Sequence, residues 1–271
     1  MRIAMVQIAS ADEETPDARL ARVTEMVRGV PTDVDLIVLP ELWKVGFCHF
    51  DEYAAAAEPL DGPTVTAMSA IAAERGCLVH MGSIVRRADD GALYNTSVLL
   101  GADGSIVHTY DKVHLFGYKS VEPEILTPGT HVDAVDTEFG ALAAATCYDL
   151  RFPPLWASLG ETGADIVIVP AAWPARRRTH WQLLTGARAV DNQVYVVAVN
   201  AVGTHAGVEL GGHSRVVDPW GEVVAEGGVD EGVTVVQIDP SVVTATRTEF
   251  PVLRDRLTDY TTIEIRKAVH A

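Results

Sequence analysis

DLIVLPELW, residues 35–43, and DIVIVPAAW, residues 165–173, follow one pattern. In each, an aspartate opens a run of four β-branched or leucine side chains, a proline ends it, and a tryptophan follows. A short, continuous apolar run is what a strand covered on both faces requires. A second pair recurs in the same order: Ser97, Gly104 and Val107 return as Ser214, Gly221 and Val224. Two echoes in one order predict two similar sheet-plus-helix halves facing each other. Further β-branched-rich runs at 1–8, 78–85, 141–146 and 194–199 extend the sheets. Residues 15–29 and 63–76 read as helices; the first carries Leu20, Val23 and Val27 at helical spacing, with Gly29 as its stop. Asp90-Gly91 and Asp103-Gly104 are hairpin signals between strand-like runs. Together these predict a mixed α/β sandwich with internal two-fold pseudo-symmetry. Glu41 of the first echo is replaced by Ala171 in the second, so one active site per chain is expected.

The 271 residues are 48% hydrophobic and carry a net charge of −16. That apolar fraction excludes a disordered chain, and the length suits one domain over 1–271. The acidic balance argues against nucleic-acid or anionic-membrane partners. No apolar run reaches the ~18 residues of a membrane span, and the N-terminus lacks a signal-peptide layout. Three cysteines, Cys48, Cys77 and Cys147, make no disulfide framework and point to a reducing cytoplasm. The glycine-rich segment 203–212 reads as a mobile loop. The polar end, 255–271, reads as an arm against a partner or as a frayed terminus.

Three residues stand out for chemistry. Glu41 follows the strand at 36–39 and Pro40, at the carboxyl end of a sheet, where α/β proteins place ligands. Cys147 ends an apolar strand and enters the turn YDLRFPP, a setting that lifts a nucleophile above a sheet and exposes backbone N–H groups beside it. Lys112, in YDKVHLFG, is one of few lysines and is flanked by apolar side chains, so a carboxylate partner is expected. Taken singly, these also read as a solvated acid, a buried cysteine and a surface lysine. Taken together they form a nucleophile site without histidine: the carboxylate takes the thiol proton and the ammonium stabilises an oxyanion. His114 is the nearest rival base. Cys48 and Cys77 read as packing residues. No HxH or HExxH spacing, dinucleotide fingerprint or P-loop occurs, so no metal or cofactor is expected.

LPELW at 39–43, YDKVHLFG at 110–117, ATCYDLRFPP at 145–154, GADIVIVPAAWP at 163–174 and GGHSRVVDPWGEVVAEG at 211–227 together resemble the nitrilase, or carbon–nitrogen hydrolase, superfamily. The resemblance spans nearly the whole chain. It implies a four-layer αββα sandwich, commonly paired into dimers or larger homo-oligomers. It implies Glu41 as general base and acid, Lys112 as charge stabiliser and Cys147 as nucleophile. It also implies a second glutamate six residues before a Pro-Gly; Glu122 has that spacing to Pro128-Gly129, and Glu124 lies close by. The Tyr148 N–H would complete the oxyanion hole with Lys112. CYDLRFP is most similar to ω-amidase and Nit-type amidases, which release ammonia from linear amides through a thioester. Where many relatives have tyrosine after Gly46, this chain has Phe47.

The Arg176-Arg177-Arg178 run, just past Trp173, is a local basic cluster in an acidic chain. These four are candidate substrate-binding residues, with the arginines capturing a carboxylate. A solvated charge run would look the same in sequence. The expected substrate is a small ω-monoamide such as 2-oxoglutaramate. Deaminated glutathione, an N-carbamoyl compound, a simple aliphatic amide and a catalytically silent scaffold remain open alternatives.

Overall fold

In the computed structural model, which describes residues 1–257, 263 and 264, the chain forms two six-stranded sheets. The first half contributes β1 (Arg2–Gln7), α1 (Pro16–Arg28), β2 (Leu36–Val38), α2 (Tyr53–Ala56), α3 (Pro63–Arg75), β3 (Leu78–Arg87), β4 (Leu93–Leu100) and β5 (Ile106–Asp111). A single helical turn, α4 (Glu122–Ile125), precedes β6 (Ala134–Thr137), β7 (Gly140–Ala144), α5 (Pro153–Glu161), β8 (Ile166–Ala171), α6 (Arg178–Asn192) and β9 (Tyr195–Asn200). The short pair β10 (Thr204–His205) and β11 (Val208–Glu209) is followed by β12 (Arg215–Val217), β13 (Val223–Glu226), β14 (Gly232–Gln237) and α7 (Ser241–Glu249).

One sheet runs β14-β1-β2-β3-β4-β5 and the other β6-β7-β8-β9-β12-β13. In each, three parallel strands have one antiparallel neighbour on one side and an antiparallel hairpin on the other. The echoed runs become β2 and β8, which hold the same place in the two sheets. The second echo also holds: Gly104 and Gly221 turn the equivalent hairpins at φ 82° and 87°.

Strand alternation makes the layers. Ile3, Met5, Leu36 and Val38 face the other sheet, where they meet Ile166, Ile168, Val197 and Val199. Their neighbours Ala4, Val6, Ile37 and Leu39 pack with Val23 and Val27 of α1 and Met68 and Ile71 of α3. Val167, Val169, Val196 and Ala198 pack with Trp156, Leu159, Trp181 and Ala189 of α5 and α6. Apolar side chains on both faces of each strand therefore give α, β, β and α layers. Both sequence-marked helices form. Thr15 caps α1 by accepting from the Ala18 N–H, at 3.3 Å, and Gly76 ends α3 in the left-handed region.

One expectation changes, and another falls largely outside the described residues. The segment 203–212 is tied down rather than loose: β10 pairs with β11, and the Gly211 N–H donates to the Trp173 carbonyl at 2.8 Å. Of the arm read over 255–271, Asp255 ends a 3-10 turn, and residues 258–262 and 265–271 lie outside the described residues. Among the described residues, no helix is long and apolar enough to cross a membrane.

The β2 end is bolted to a bulge in β3. The β3–β4 register shifts between His80 and Ser83. There the Ser83 hydroxyl accepts the Leu42 N–H at 3.0 Å, and the Trp43 indole donates to the Met81 carbonyl at 2.8 Å. Gly82 has φ 71°, and a Cβ there would overlap the Pro40 carbonyl. Only glycine lets the bulge lie against the residue before Glu41. Gly82→Ala is therefore expected to lower unfolding free energy by at least about 2 kcal/mol, measured by urea denaturation. Unchanged stability would contradict this close approach.

Candidate active site

Pro40 ends the extended run, so the next residue turns off the sheet into the interior. Glu41 is 1% exposed. Its Oε1 accepts from Lys112 Nζ at 2.8 Å and Asn95 Nδ2 at 2.8 Å; its Oε2 accepts the Ala172 N–H at 3.0 Å. Ala172 directly follows β8, so the second echo contributes a backbone donor where the first contributes the acid.

Lys112 directly follows β5, and its N–H donates to the Asn95 carbonyl at 2.9 Å. Besides Glu41, its ammonium donates to Glu122 Oε1 and Oε2 at 3.0 and 3.1 Å. The side chains of Lys112, Glu41 and Glu122 are all 0% exposed. Glu122 opens α4 and also accepts the Phe116 N–H at 2.6 Å; Glu124, one half-turn on, is exposed. Geometry thus separates the two glutamates that spacing left close.

Cys147 sits between β7 and a 3-10 turn, Cys147–Arg151, with φ 46°. This left-handed kink is the sharp strand-to-turn feature expected of a presented nucleophile. Asp149 braces it from below. Its carboxylate accepts from the Tyr110 hydroxyl (2.7 Å), the Thr146 N–H (3.0 Å) and both the N–H and Nδ1 of His114 (2.9 and 2.8 Å). His114 is thereby engaged, and its ring stacks on Phe152 at 3.7 Å. It belongs to the support of the turn rather than to the cavity wall.

Burial opposes every charge here. For Lys112 it pushes the pKa down, but Glu122 and Glu41 outweigh it and hold the ammonium charged above its ordinary range. Glu122 is raised by burial, which Lys112 counters and Glu41 reinforces. Burial lifts the Cys147 thiol well above its ordinary value and the Glu41 carboxylate adds to this; Lys112 and the Ala172 N–H pull the other way. Burial and the neighbouring Glu41 thus favour the thiol form of Cys147 over the thiolate.

Cys147 opens onto a cavity of about 90 Å³, room for several water-sized groups but not for a polymer. Phe47, Cys48, Phe116, Tyr118, Tyr148, Trp173 and Val208 form much of its wall. Lys119, Arg151, Arg176 and Arg177 also line it, and among the described residues no Asp or Glu does. Of the arginine run, Arg176 and Arg177 reach the cavity. Arg178 does not: it is the first residue of α6, and the helical turn carries it off the wall. Trp173 contributes a ring face only, because its indole N–H donates to the Arg177 carbonyl at 2.8 Å. Cys48, read as packing, is a wall residue. Phe47 places its ring 5.0 Å from Lys112 Nζ.

Sequence reasoning passed over Arg151 and Asn95. Arg151 stands in the quoted CYDLRFPP stretch; the 3-10 turn brings it back over Trp173, 4.7 Å from that ring. Asn95 is the amide side chain in LYNTSVLL, fully buried on β4, and a buried polar residue in a strand was its signal. Among the described residues, no group of three His, Cys, Asp or Glu side chains could hold a metal ion.

The carbon–nitrogen hydrolase family profile matches residues 2–248. The chain belongs to the carbon–nitrogen hydrolase family. It is 36% identical to the 2-oxoglutaramate amidase of Paenarthrobacter nicotinovorans, over 95% of this chain and 90% of that one. It is 31% identical to the omega-amidase NIT2 of Homo sapiens, over 98% of both. The crystal structure of Saccharomyces cerevisiae Nit3, a nitrilase-superfamily member, superposes with a TM-score of 0.83 at 32% identity, covering 97% of each chain. This carbon–nitrogen hydrolase therefore shares the sandwich and its length with amide-cleaving relatives.

A thiol held protonated has a spectroscopic consequence. The 240 nm thiolate absorbance lost in Cys147→Ala should still be rising above pH 9.0, the ordinary thiol value. A plateau below neutral pH would mean a preformed thiolate and would contradict the electrostatics of this site.

Proposed function

We propose that the enzyme hydrolyses the terminal amide of a small dicarboxylic acid monoamide, with Cys147 as nucleophile, Glu41 as general base and acid, and Lys112 with the Tyr148 N–H as oxyanion donors. The carrying observation is the contrast of charge. A chain of net charge −16 lines one small cavity, beside a buried Cys–Glu–Lys cluster, with four cations and no carboxylate. Arg151 and Arg177 are the carboxylate-binding groups on this reading, with Arg176 and Lys119 adding field at the mouth. The 2-oxoglutaramate amidase relative supports 2-oxoglutaramate as the substrate.

In the reaction, the Cys147 proton passes to Glu41 as the sulfur bonds to the amide carbon. Because the resting group is a thiol, proton transfer accompanies attack. The resulting oxyanion is held by Lys112 and Tyr148; one such donor is worth about 3–4 kcal/mol. Glu41 returns the proton to the leaving nitrogen, the carbon–nitrogen bond breaks, and ammonia departs from a thioester. Water then loses a proton to Glu41 and adds to the thioester carbon. The carbon–sulfur bond breaks, the carboxylic acid leaves, and the proton returns to sulfur.

Two coarser readings accompany this one. The free thiols of Cys48, Cys77 and Cys147 support a reducing compartment, the cytoplasm. Exposed Leu183, Val190, Trp220 and Phe250 support a homodimer or larger assembly.

Cys147→Ala should abolish ammonia release from 2-oxoglutaramate while unfolding like the wild type; retained turnover would refute the nucleophile. Separately, Arg151→Met and Arg177→Met should each raise KM for anionic ω-amides about ten- to hundredfold, and for neutral amides of the same length less than about threefold. Equal effects on both classes, read from an ammonia-release panel, would overturn carboxylate capture.

A further inference from the structure

The buried cluster holds two carboxylates, and a hydrogen-bond account separates their roles. A carboxylate offers about four lone-pair positions. Glu122 has all of its positions engaged: Oε1 accepts from Lys112 and, at 3.3 Å, from Asn95, and Oε2 accepts from Lys112 and the Phe116 N–H. Glu41 has three engaged: Oε1 accepts from Lys112 and Asn95, and Oε2 accepts the Ala172 N–H. The open position lies on Glu41 Oε2, the oxygen on the Ala172 side. The Cys147 thiol interacts with both the Glu41 carboxylate and that same Ala172 N–H.

Asn95 makes this division. Its single Nδ2 serves Oε1 of both glutamates, so its two hydrogens are spent on the two acids. Its Oδ1, turned the other way, is buried with no partner. A buried amide oxygen left without a donor is unfavourable, and turning the amide over would set that oxygen against two carboxylates. The same residue's backbone carbonyl anchors the Lys112 N–H at 2.9 Å. On the reading proposed above, we infer that Asn95 is a positioning residue: by donating to Oε1 of both Glu41 and Glu122 it leaves Glu41 Oε2 as the proton-accepting oxygen and confines Glu122 to holding Lys112.

The groups that bear on Glu41 come from several elements. Lys112 stands after β5, Glu122 on α4 and Cys147 on the elbow; Tyr53 of α2 and Cys48 of the cavity wall also interact with the Glu41 charge. Removing the Asn95 donor deprives the ionised carboxylates of a stabilising bond, so both hold protons more tightly. The acid limb of any step that needs Glu41 ionised then moves to higher pH.

The test is alkylation of Cys147 by iodoacetamide across pH, with the adduct located by mass spectrometry. It reads proton transfer from the thiol without an amide, so a wrong substrate leaves it intact. Failure of the catalytic reading itself shows separately, as a wild-type acid limb that Glu41→Gln leaves in place. In Asn95→Leu, which keeps the volume and loses both donors, the acid limb should rise by about one pH unit. In Asn95→Asp, which adds a third carboxylate, it should rise further. With an active amide, kcat should fall about tenfold or more and KM should change little. Asn95→Ala, which also removes both donors, provides the same reading should Asn95→Leu not fold, and thermal melting reports which variants fold. Folded variants whose rates fall with the acid limb unmoved would overturn the inference and leave Asn95 a packing residue.

Discussion

An ammonium buried between two carboxylates organises this molecule. Lys112, at the end of β5, reaches Glu41 at 2.8 Å and Glu122 at 3.0 Å, and none of the three side chains meets solvent. Losing one partner from such a group leaves an uncompensated interior charge, at a cost of roughly 3–5 kcal/mol. The three chain segments that carry them are therefore held together by charge as well as by packing. Asn95 on β4 and the Ala172 N–H after β8 complete the donor set around Glu41. The cluster thus draws on both sheets and lies where their strand ends converge.

The same burial sets the chemistry. Burial and the neighbouring Glu41 push the Cys147 thiol up, toward keeping its proton, unlike a cysteine paired with imidazolium. On the proposed mechanism, attack and proton transfer then belong to one event, and the base must be close and correctly oriented. The bulge at Gly82 holds the Glu41 segment, and Asp149 braces the turn that carries Cys147. Outside this interior the charge changes sign: Lys119, Arg151, Arg176 and Arg177 surround the cavity of an otherwise acidic protein. A small anion entering that cavity is attracted by its mouth and meets no acid on its wall.

Pseudo-symmetry relates the two strand ends that meet at Glu41. The two sheets repeat the same strand order, and β2 and β8 occupy matching places. One repeat ends in the acid Glu41. The other ends in alanines, and its contribution is the main-chain N–H of Ala172. The shared framework sets two strand ends facing each other; one carries the acid Glu41 and the other a backbone donor to it.

The layers were legible in the sequence because burial on both faces writes itself as unbroken apolar runs, and two such runs shared one pattern of aspartate, apolar run, proline and tryptophan. Glu41, Lys112 and Cys147 were legible because each breaks a local pattern: an acid after a strand-ending proline, a lysine among apolar neighbours, a cysteine at a strand-to-turn junction. Arg178, Arg151, Glu122 and Asn95 were settled differently. Which arginines face the cavity follows from where α6 starts and how the 3-10 turn folds back. Which of Glu122 and Glu124 is buried follows from the direction each leaves α4. Strand periodicity is a property of neighbours along the chain, whereas a hydrogen bond such as Asn95 to Glu41 joins residues 54 positions apart. Only assembling β2, β3 and β4 side by side in one sheet brings such atoms within 3 Å, and so only the tertiary structure could decide them.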